Sequence, residues 1–192
     1  MLVMAVRDIL IWPDPELLKP SAPIAAVDEG VRALVKDLFD TMYDADGVGL
    51  AAPQIGVHRR VVVVDIRAYE RQQDGEKVVI PKDEGPLVLI NPTFVKLAGE
   101  LEWEEGCLSV PGETGLVTRA AMCTVRYLDL DGREQLIEAE GLKSVALQHE
   151  CDHLDGKLFV DYLSRLKRNV IRKKMLKLIE EREQGDADAA EA

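Results

Sequence analysis

Aromatic residues are scarce in this chain of 192 residues, at 5% of the sequence. Aliphatic side chains must therefore fill the core. Long apolar runs are missing as well, because no stretch approaches the roughly 20 uninterrupted apolar residues of a membrane-spanning helix. Hydrophobic residues still account for 47% and charged residues for 31%, which is the balance of a soluble globular protein. We expect no membrane partner, a single domain over residues 1–183 and a disordered tail over residues 184–192.

Lysine and arginine are in deficit, since 24 of them stand against 35 aspartates and glutamates, a formal net charge of −11. General binding to nucleic acid requires a surplus of basic side chains on some face. The composition therefore argues against DNA as a partner. Basic residues nevertheless gather near the C-terminus, at Arg165, Lys167, Arg168, Arg172, Lys173, Lys174 and Lys177.

Cysteine is also rare, and the count of three is odd. Cys107, Cys123 and Cys151 lack the tight spacing of a small secreted disulfide framework. The first residues carry no apolar core followed by a small-residue cleavage site. We expect a cytoplasmic protein with reduced thiols, in which Cys123 belongs to the core.

Apolar residues recur at helical spacing in the first third of the chain and near its C-terminus. The spacing predicts an amphipathic helix over Val27–Asp44 and a basic one from Tyr162 to about Glu183. Between them, Gly141–Asp155 is predicted to form a helix with a strongly apolar first half, ended by Asp155-Gly156.

Strand patterns fill the middle of the chain. Val61–Ile66 is a β-branched run, and Leu87–Ile90 is another that Asn91-Pro92 should close. Met122–Leu130 and Glu134–Ala139 flank Asp131-Gly132, which is typical of a two-residue hairpin turn. A polar loop is expected over residues 70–85. The fold class predicted is α+β, with antiparallel strands packed around a central metal-binding helix and a C-terminal helix.

Residue types that bind metals or transfer protons are concentrated in the segment Gln148-His149-Glu150-Cys151-Asp152-His153. Helical residues four apart differ by about 40° around the axis, so His149 and His153 share a face and can hold one ion. Glu150 then lies beside the metal, where it could take a proton from water without being a ligand. The alternative is a surface helix with solvated side chains. The apolar residues before His149 argue against it, because unpaired buried imidazoles are costly.

A catalytic metal site needs a third protein ligand and an open position for water. Cys107, in Glu105-Gly106-Cys107-Leu108-Ser109, is the candidate, although a lone cysteine beside glycine is more often a small buried hydrophobe. Pairing with the histidine motif favours the ligand role. Cys151 lies about 200° around the helix from His149 and so should point away from the metal.

Three segments together resemble one known family, the peptide deformylases. They are Gly47-Val48-Gly49-Leu50-Ala51-Ala52-Pro53-Gln54, Glu105-Gly106-Cys107-Leu108-Ser109 and Gln148-His149-Glu150-Cys151-Asp152-His153-Leu154. They stand in the family's order, and the similarity spans roughly residues 6–166. The resemblance implies a metal-dependent hydrolase that removes the formyl group from the N-terminal methionine of new proteins.

The resemblance also implies a cofactor. Family members bind one divalent ion through a cysteine and two histidines, here Cys107, His149 and His153, with water in the fourth position. The ion expected from resemblance is Fe²⁺, with Zn²⁺, Ni²⁺ or Co²⁺ as replacements, because ligand type alone does not choose among them.

Catalytic roles carry over in the same way. Glu150 would take a proton from the attacking water and return it to the leaving amine. Gln54 and the backbone N–H of Leu108 would stabilise the oxyanion. Judged without the family, Gln54 would be a surface residue after a turn.

Substrate binding is likewise implied by the resemblance. The glycine segment, with Val48 and Gly49, would run beside the N-formylmethionyl nascent peptide as an added strand. Trp103 and Val145, with Val48, would form walls of the methionine pocket. Glu105 and Arg119 would pair behind the cysteine loop, or else be a surface salt bridge.

One further partner and two alternative functions are also considered for this chain. The resemblance implies that the basic C-terminal helix docks on the ribosome, and the alternative is a solvated face. A zinc-dependent endopeptidase would share the His-Glu-x-x-His helix but usually needs no cysteine ligand. A zinc-stabilised binding module would need a fourth protein ligand, and none is evident because His58 lies in a polar turn.

Overall fold

The structure is a computed structural model that describes residues 6–68, 72–73, 76–77 and 85–190. Its helices are α1 (Glu29–Asp44), α2 (Gly141–Leu154) and α3 (Arg165–Ala190). Its strands are β1 (Gly49–Ala51), β2 (Val61–Val64), β3 (Gln72–Gln73), β4 (Glu76–Lys77), β5 (Leu87–Ala98), β6 (Leu101–Cys107), β7 (Val110–Arg119), β8 (Met122–Leu128) and β9 (Glu134–Glu140). Most of the polar loop predicted over residues 70–85 lies outside the described residues.

A five-stranded antiparallel sheet organises the molecule, in the order β1-β2-β5-β8-β9. Strands β6 and β7 form a separate antiparallel pair, and so do β3 and β4. Mixed helices and antiparallel sheets with a C-terminal helix confirm the predicted α+β class. No helix in the described part of the chain is long and apolar enough to cross a membrane.

Strand β2 consists of four consecutive valines, all of them buried. Val61 and Val63 pack in a cluster with α1, whereas Val62 and Val64 belong to a cluster with α2. Side chains alternate between the faces of a strand, so a strand covered by a helix on each side must be apolar at every position. The sheet is therefore the middle layer between α1 and α2.

Helix α1 begins at Glu29, slightly later than the predicted start at Val27. The side chain of Asp28 accepts a hydrogen bond from the backbone N–H of Val31, which satisfies one of the unpaired donors at the helix start. The buried face consists of Val31, Leu34, Val35, Leu38, Thr41 and Met42. This face matches the predicted helical spacing.

Strand β5 corrects one prediction. It does not close at Asn91-Pro92 but continues to Ala98, with irregular pairing to β8 between Ile90 and Thr93. Asn91 adopts a positive φ of 51°. Its side chain exchanges two hydrogen bonds of 2.8 Å with the backbone of Ile24. This tertiary pairing holds the irregular residue inside the strand.

The predicted β8–β9 hairpin is present, but the two-residue turn is wrong. Strand pairing ends at Leu128 and Glu134, and Asp129 pairs with Arg133 through backbone hydrogen bonding. Of the intervening residues only Gly132 has a positive φ, at 76°. The side chain of Asp129 accepts hydrogen bonds from the backbone of Asp131 and Arg133, which favours the longer loop.

A third cluster of buried residues joins the N-terminal arm, the described residues that precede α1, to α3. Trp12, Leu17, Val117, Phe159 and Ile171 are among its members. Backbone hydrogen bonds from the arm reach the 3₁₀ helix Ala52–Ile55 and the loop after β6. The arm is therefore laid over the domain.

Helix α3 continues to Ala190, beyond the end predicted near Glu183. One glycine in a helix costs only about 1 kcal/mol, and alanine, the best helix former, recurs after Gly185. The assignment of residues 1–183 to one domain stays a prediction.

Candidate metal centre and active site

Helix α2 carries the histidine motif and is anchored just before it. The side chain of Gln148 accepts from the N–H of Ala120 at 3.0 Å and donates to the carbonyl oxygen of the same residue at 2.9 Å. Ser144 donates to that carbonyl as well. This clamp on the turn between β7 and β8 fixes the rotation of α2 about its axis.

Three potential metal ligands meet at this helix. The donor atoms of Cys107, His149 and His153 all lie within 4.8 Å of one another, and the Cys107 Sγ is 3.3 Å from the His153 Nε2. Tetrahedral coordination at about 2.0–2.3 Å places ligand atoms roughly 3.5 Å apart. The three donors therefore fit one tetrahedral ion. Cys151 is buried but is not part of the group.

A chain of charged groups stands behind His149. Its Nδ1 lies 2.8 Å from the Glu105 Oε2, and Arg119 donates to both Glu105 oxygens, at 2.6 and 3.0 Å. Burial acts to raise the pKa of Glu105, but the hydrogen bonds from Arg119 and His149 outweigh it and lower the pKa. Glu105 is thus an anion that holds the His149 ring, and Nε2 is left for a metal. The Glu105–Arg119 pair is buried, so the alternative of a surface salt bridge is wrong.

The two histidines differ in their surroundings. Burial and the nearby charge of His149 hold the pKa of His153 well below its ordinary value, so its ring is neutral and able to coordinate. Burial also acts to lower the pKa of His149, but Cys107 and Glu105 raise it well above the usual range. A bound ion would take the place of that proton.

Glu150 is buried beside the ligands and packs against the glycine segment. A Cβ built on Gly49 would lie 2.4 Å from the Glu150 Oε1. Burial raises the pKa of Glu150 to about 7. Its Oε2 has no hydrogen-bond partner within the described residues. A buried carboxylate with a free oxygen and a pKa near neutrality suits proton transfer.

Gln54 is 1% exposed, so the alternative of a surface glutamine is wrong. It lies in the 3₁₀ helix Ala52–Ile55. Its Oε1 accepts from the N–H of Ala51 at 2.8 Å, which orients the amide. Its Nε2 faces the Cys107 Sγ at 3.6 Å and the Ser109 Oγ at 3.2 Å. The donor end therefore points at the candidate metal centre.

A cavity of about 570 Å³ opens onto these groups. Its walls include every predicted substrate and catalytic position, namely Val48, Gly49, Gln54, Trp103, Leu108, Val145 and Glu150, together with the ligands Cys107 and His149. His153 does not line it and is 1% exposed. The volume is that of a cleft for a short peptide or similar ligand.

Sequence reasoning missed several residues near the site. Ser109 is fully buried against Gln54. Asp152 accepts from Arg119, and Tyr162 donates to the same Asp152 oxygen. The position of Asp152 within the histidine motif was an available signal. Nothing in the sequence marks Tyr162, because its role depends on how the segment after α2 folds back.

Comparisons with known proteins agree with this geometry. A model of the polypeptide deformylase family matches residues 6–169. The chain belongs to the polypeptide deformylase family. Metal-dependent deformylation is the activity of this family, and the chain is an enzyme of this class. It is 51% identical over 176 residues to a peptide deformylase of Alkalilimnicola ehrlichii, with 92% of both chains covered.

Solved structures of deformylases share the fold. A peptide deformylase from Legionella pneumophila is 47% identical, with a TM-score of 0.82 over 93% of this chain and 98% of that one. A second, from Ehrlichia chaffeensis and in complex with actinonin, is 39% identical, with a TM-score of 0.79 over 91% and 98% of the two chains.

Proposed function

We propose that this chain removes the formyl group from the N-terminal formylmethionine of newly made proteins, with one divalent ion held by Cys107, His149 and His153. The observation that carries the proposal is the position of Glu150. Glu150 follows the candidate ligand His149 on α2 and lines the same cavity of about 570 Å³ as Cys107 and His149, and its buried Oε2 has no hydrogen-bond partner among the residues that the structure describes.

The ion would act as a Lewis acid that polarises the formyl oxygen and lowers the pKa of water. We propose Fe²⁺ as the native ion, with Zn²⁺, Ni²⁺ or Co²⁺ able to replace it. Thiolate and imidazole ligands suit all of these. The Cys107 thiol is not in a disulfide, as this role requires.

Glu150 is proposed to accept the proton of the attacking water and to deliver it to the departing amine. Its buried Oε2 has no hydrogen-bond partner among the described residues, which leaves it free to exchange a proton with water. The Gln54 amide and the backbone N–H of Leu108 are proposed to donate to the developing oxyanion. The hydrogen bond from Ala51 keeps the Gln54 amide in the donating orientation.

The peptide is proposed to lie along β1. This strand is an edge of the five-stranded sheet, so its outer side is available for backbone hydrogen bonds that do not depend on peptide sequence. Val48 and Gly49 come at its start. The apolar surfaces of Val48, Trp103 and Val145 line the same cavity and suit a methionine side chain.

The site of action is proposed to be the cytoplasm, near the ribosome. A thiolate ligand depends on a reducing compartment. The basic side chains of α3 supply positive charge on a chain of net charge −11, which suits ribosomal RNA.

The test is hydrolysis of formyl-Met-Ala-Ser by the iron-loaded protein under anaerobic conditions, with detection of the freed amine. Glu150→Gln keeps the shape of the side chain but removes the base, so activity should fall at least about 100-fold with the metal content unchanged. Casein serves as the endopeptidase substrate. Casein cleavage without deformylation, whichever metal is loaded, would contradict the proposal and favour a zinc endopeptidase.

A further inference from the structure

Tyr162 occupies an unusual place for a residue that is 47% exposed. It ends the 3₁₀ helix Phe159–Tyr162, in the segment between α2 and α3. Its hydroxyl donates to the Asp152 Oδ2 at 2.8 Å, and its ring lies 4.5 Å from the guanidinium carbon of Arg119. Tyr162 thus contacts both Asp152 and Arg119, which belong with Glu105 to the charge network behind His149.

Arg119 is the centre of this network and is held on several sides. Two of its nitrogens bind Glu105, and a third donates to the Asp152 Oδ2 at 2.5 Å. The Tyr162 ring lies against the guanidinium, where a cation–π contact adds attraction and limits access by water. These contacts leave the guanidinium one orientation, in which it pairs with both oxygens of Glu105.

The orientation of Glu105 matters because its Oε2 contacts Arg119 and also the Nδ1 of His149. A ligand histidine held through its other ring nitrogen binds metal more tightly, since its ring does not have to be ordered on binding. The contacts therefore run without interruption from Tyr162 to His149.

We propose that Tyr162 is a positioning residue for the metal centre, acting on His149 through Arg119 and Glu105. The inference rests on the proposed metal site. Burial and the neighbouring Asp152 raise the pKa of Tyr162 to about 12, so its hydroxyl remains a donor at neutral pH. Its partial exposure means that substitution opens no large core cavity.

The experiment measures how fast the Co²⁺-loaded full chain loses its ion to an excess of chelator, followed by the visible absorption of Co²⁺. Tyr162→Leu removes both the ring contact and the hydroxyl, and should release Co²⁺ about 10-fold faster. Tyr162→Phe keeps the ring over Arg119 and should show a smaller effect, roughly threefold.

Tyr43→Phe is the matched control. Tyr43 is 44% exposed and donates to Asp65 at 2.7 Å, so the variant loses the same kind of hydrogen bond elsewhere in the molecule. Its Co²⁺ release should equal that of the unchanged chain. Any general loosening of the fold would speed release in this control as well.

A second comparison tests the route through Arg119. Arg119→Lys keeps the charge but loses the pairing with both Glu105 oxygens, and adding Tyr162→Leu to it should cause little further change in release. If the effects of Arg119→Lys and Tyr162→Leu on release are additive, or if Tyr162→Leu releases Co²⁺ at the wild-type rate, the inference about Tyr162 is wrong. The proposed metal site would be unaffected by either result. An unchanged chain that binds no Co²⁺ would overturn the metal site itself, and the inference with it.

Discussion

Gly49 shows how one missing side chain shapes the catalytic geometry. A Cβ at this position would lie 2.4 Å from the Oε1 of Glu150 and 2.8 Å from its Cγ and Cδ. Contacts this short are not tolerated, so the carboxylate would have to leave its place. The glycine is needed here for close approach and not for a positive φ.

Gly49→Ala should therefore lower kcat by about 100-fold, because a displacement of roughly 1 Å at a catalytic group is enough for such a loss. Steady-state kinetics with formyl-Met-Ala-Ser measure the effect. Gly85→Ala is the control, since a Cβ there meets no atom of the described residues within 4 Å. Equal kcat values for the two variants would show that Glu150 tolerates the displacement.

Asp65 illustrates a buried charge that stabilises the fold. It accepts hydrogen bonds from Tyr43 and from two side-chain nitrogens of Arg67. The side-chain hydrogen bonds from Arg67 lower the pKa of Asp65 to about 2 although burial opposes them. A depressed pKa means that the carboxylate stabilises the folded state above its unfolded pKa. That stability is lost as pH falls from about 4 towards 2.

Asp65→Asn should accordingly cost about 1 to 2 kcal/mol at neutral pH, less than full linkage because Arg67 is partly exposed. Urea unfolding at a series of pH values should show the gap to the unchanged chain closing between pH 4 and 2. Asp131→Asn, at an exposed carboxylate, reports the effect of the chemical change alone. A gap that is constant with pH would contradict the assigned role.

At the scale of elements, Gly156 ends α2 and lets the N-terminal arm approach. It has a φ of 72°, and a Cβ there would lie 2.3 Å from the carbonyl oxygen of Leu18. Lys157 donates back to the carbonyl of Asp152, which completes the end of the helix. The glycine thus meets two separate requirements, one of backbone conformation and one of space.

Gly156→Ala should destabilise the chain by about 3 kcal/mol or more, combining left-handed strain with the clash against Leu18. Gly132→Ala has the same strain, at a φ of 76°, but among the described residues its Cβ would meet only Val27, at 3.9 Å. It should cost about 1 kcal/mol. Thermal unfolding of both variants isolates the clash, and equal losses would mean that the arm simply moves aside.

A helix or strand could be predicted from the sequence where the spacing of apolar residues within that element was sufficient. The spacing of Val31, Leu34 and Leu38 is sufficient to predict α1, because one face of that helix meets the core. The course of β5 beyond Asn91 was not predictable, since it depends on hydrogen bonds to Ile24, which is distant along the chain. Asn-Pro taken alone is typical of a strand end.

At the scale of the whole molecule, α3 both contributes to the buried core and contacts the wall of the active-site cavity. Ile171 and Met175 are buried in the cluster with the N-terminal arm. Lys174 donates to Glu113, which lines the active-site cavity. Removing the helix would therefore uncover core and disturb the cavity, so a deletion cannot isolate its electrostatic role.

Charge reversal at Arg172 and Lys173, two exposed residues of α3, is a cleaner test of ribosome docking. Arg172→Glu with Lys173→Glu should lower co-sedimentation with ribosomes by roughly 10-fold at low salt, because each lost phosphate contact weakens binding. Activity on formyl-Met-Ala-Ser should be unchanged. Arg133→Glu, on an exposed hairpin loop, is the control, and co-sedimentation equal to that control would argue that α3 is a solvated face.

The sequence by itself determined the family, the fold class and the set of candidate metal ligands, because ligand type and motif spacing are local properties of the chain. Only the tertiary structure decided which groups stand behind those ligands. Arg119, Asp152 and Tyr162 come from three different elements, and only the fold brings their side chains into contact. Such a network depends on three-dimensional proximity and burial, which no short segment of sequence specifies.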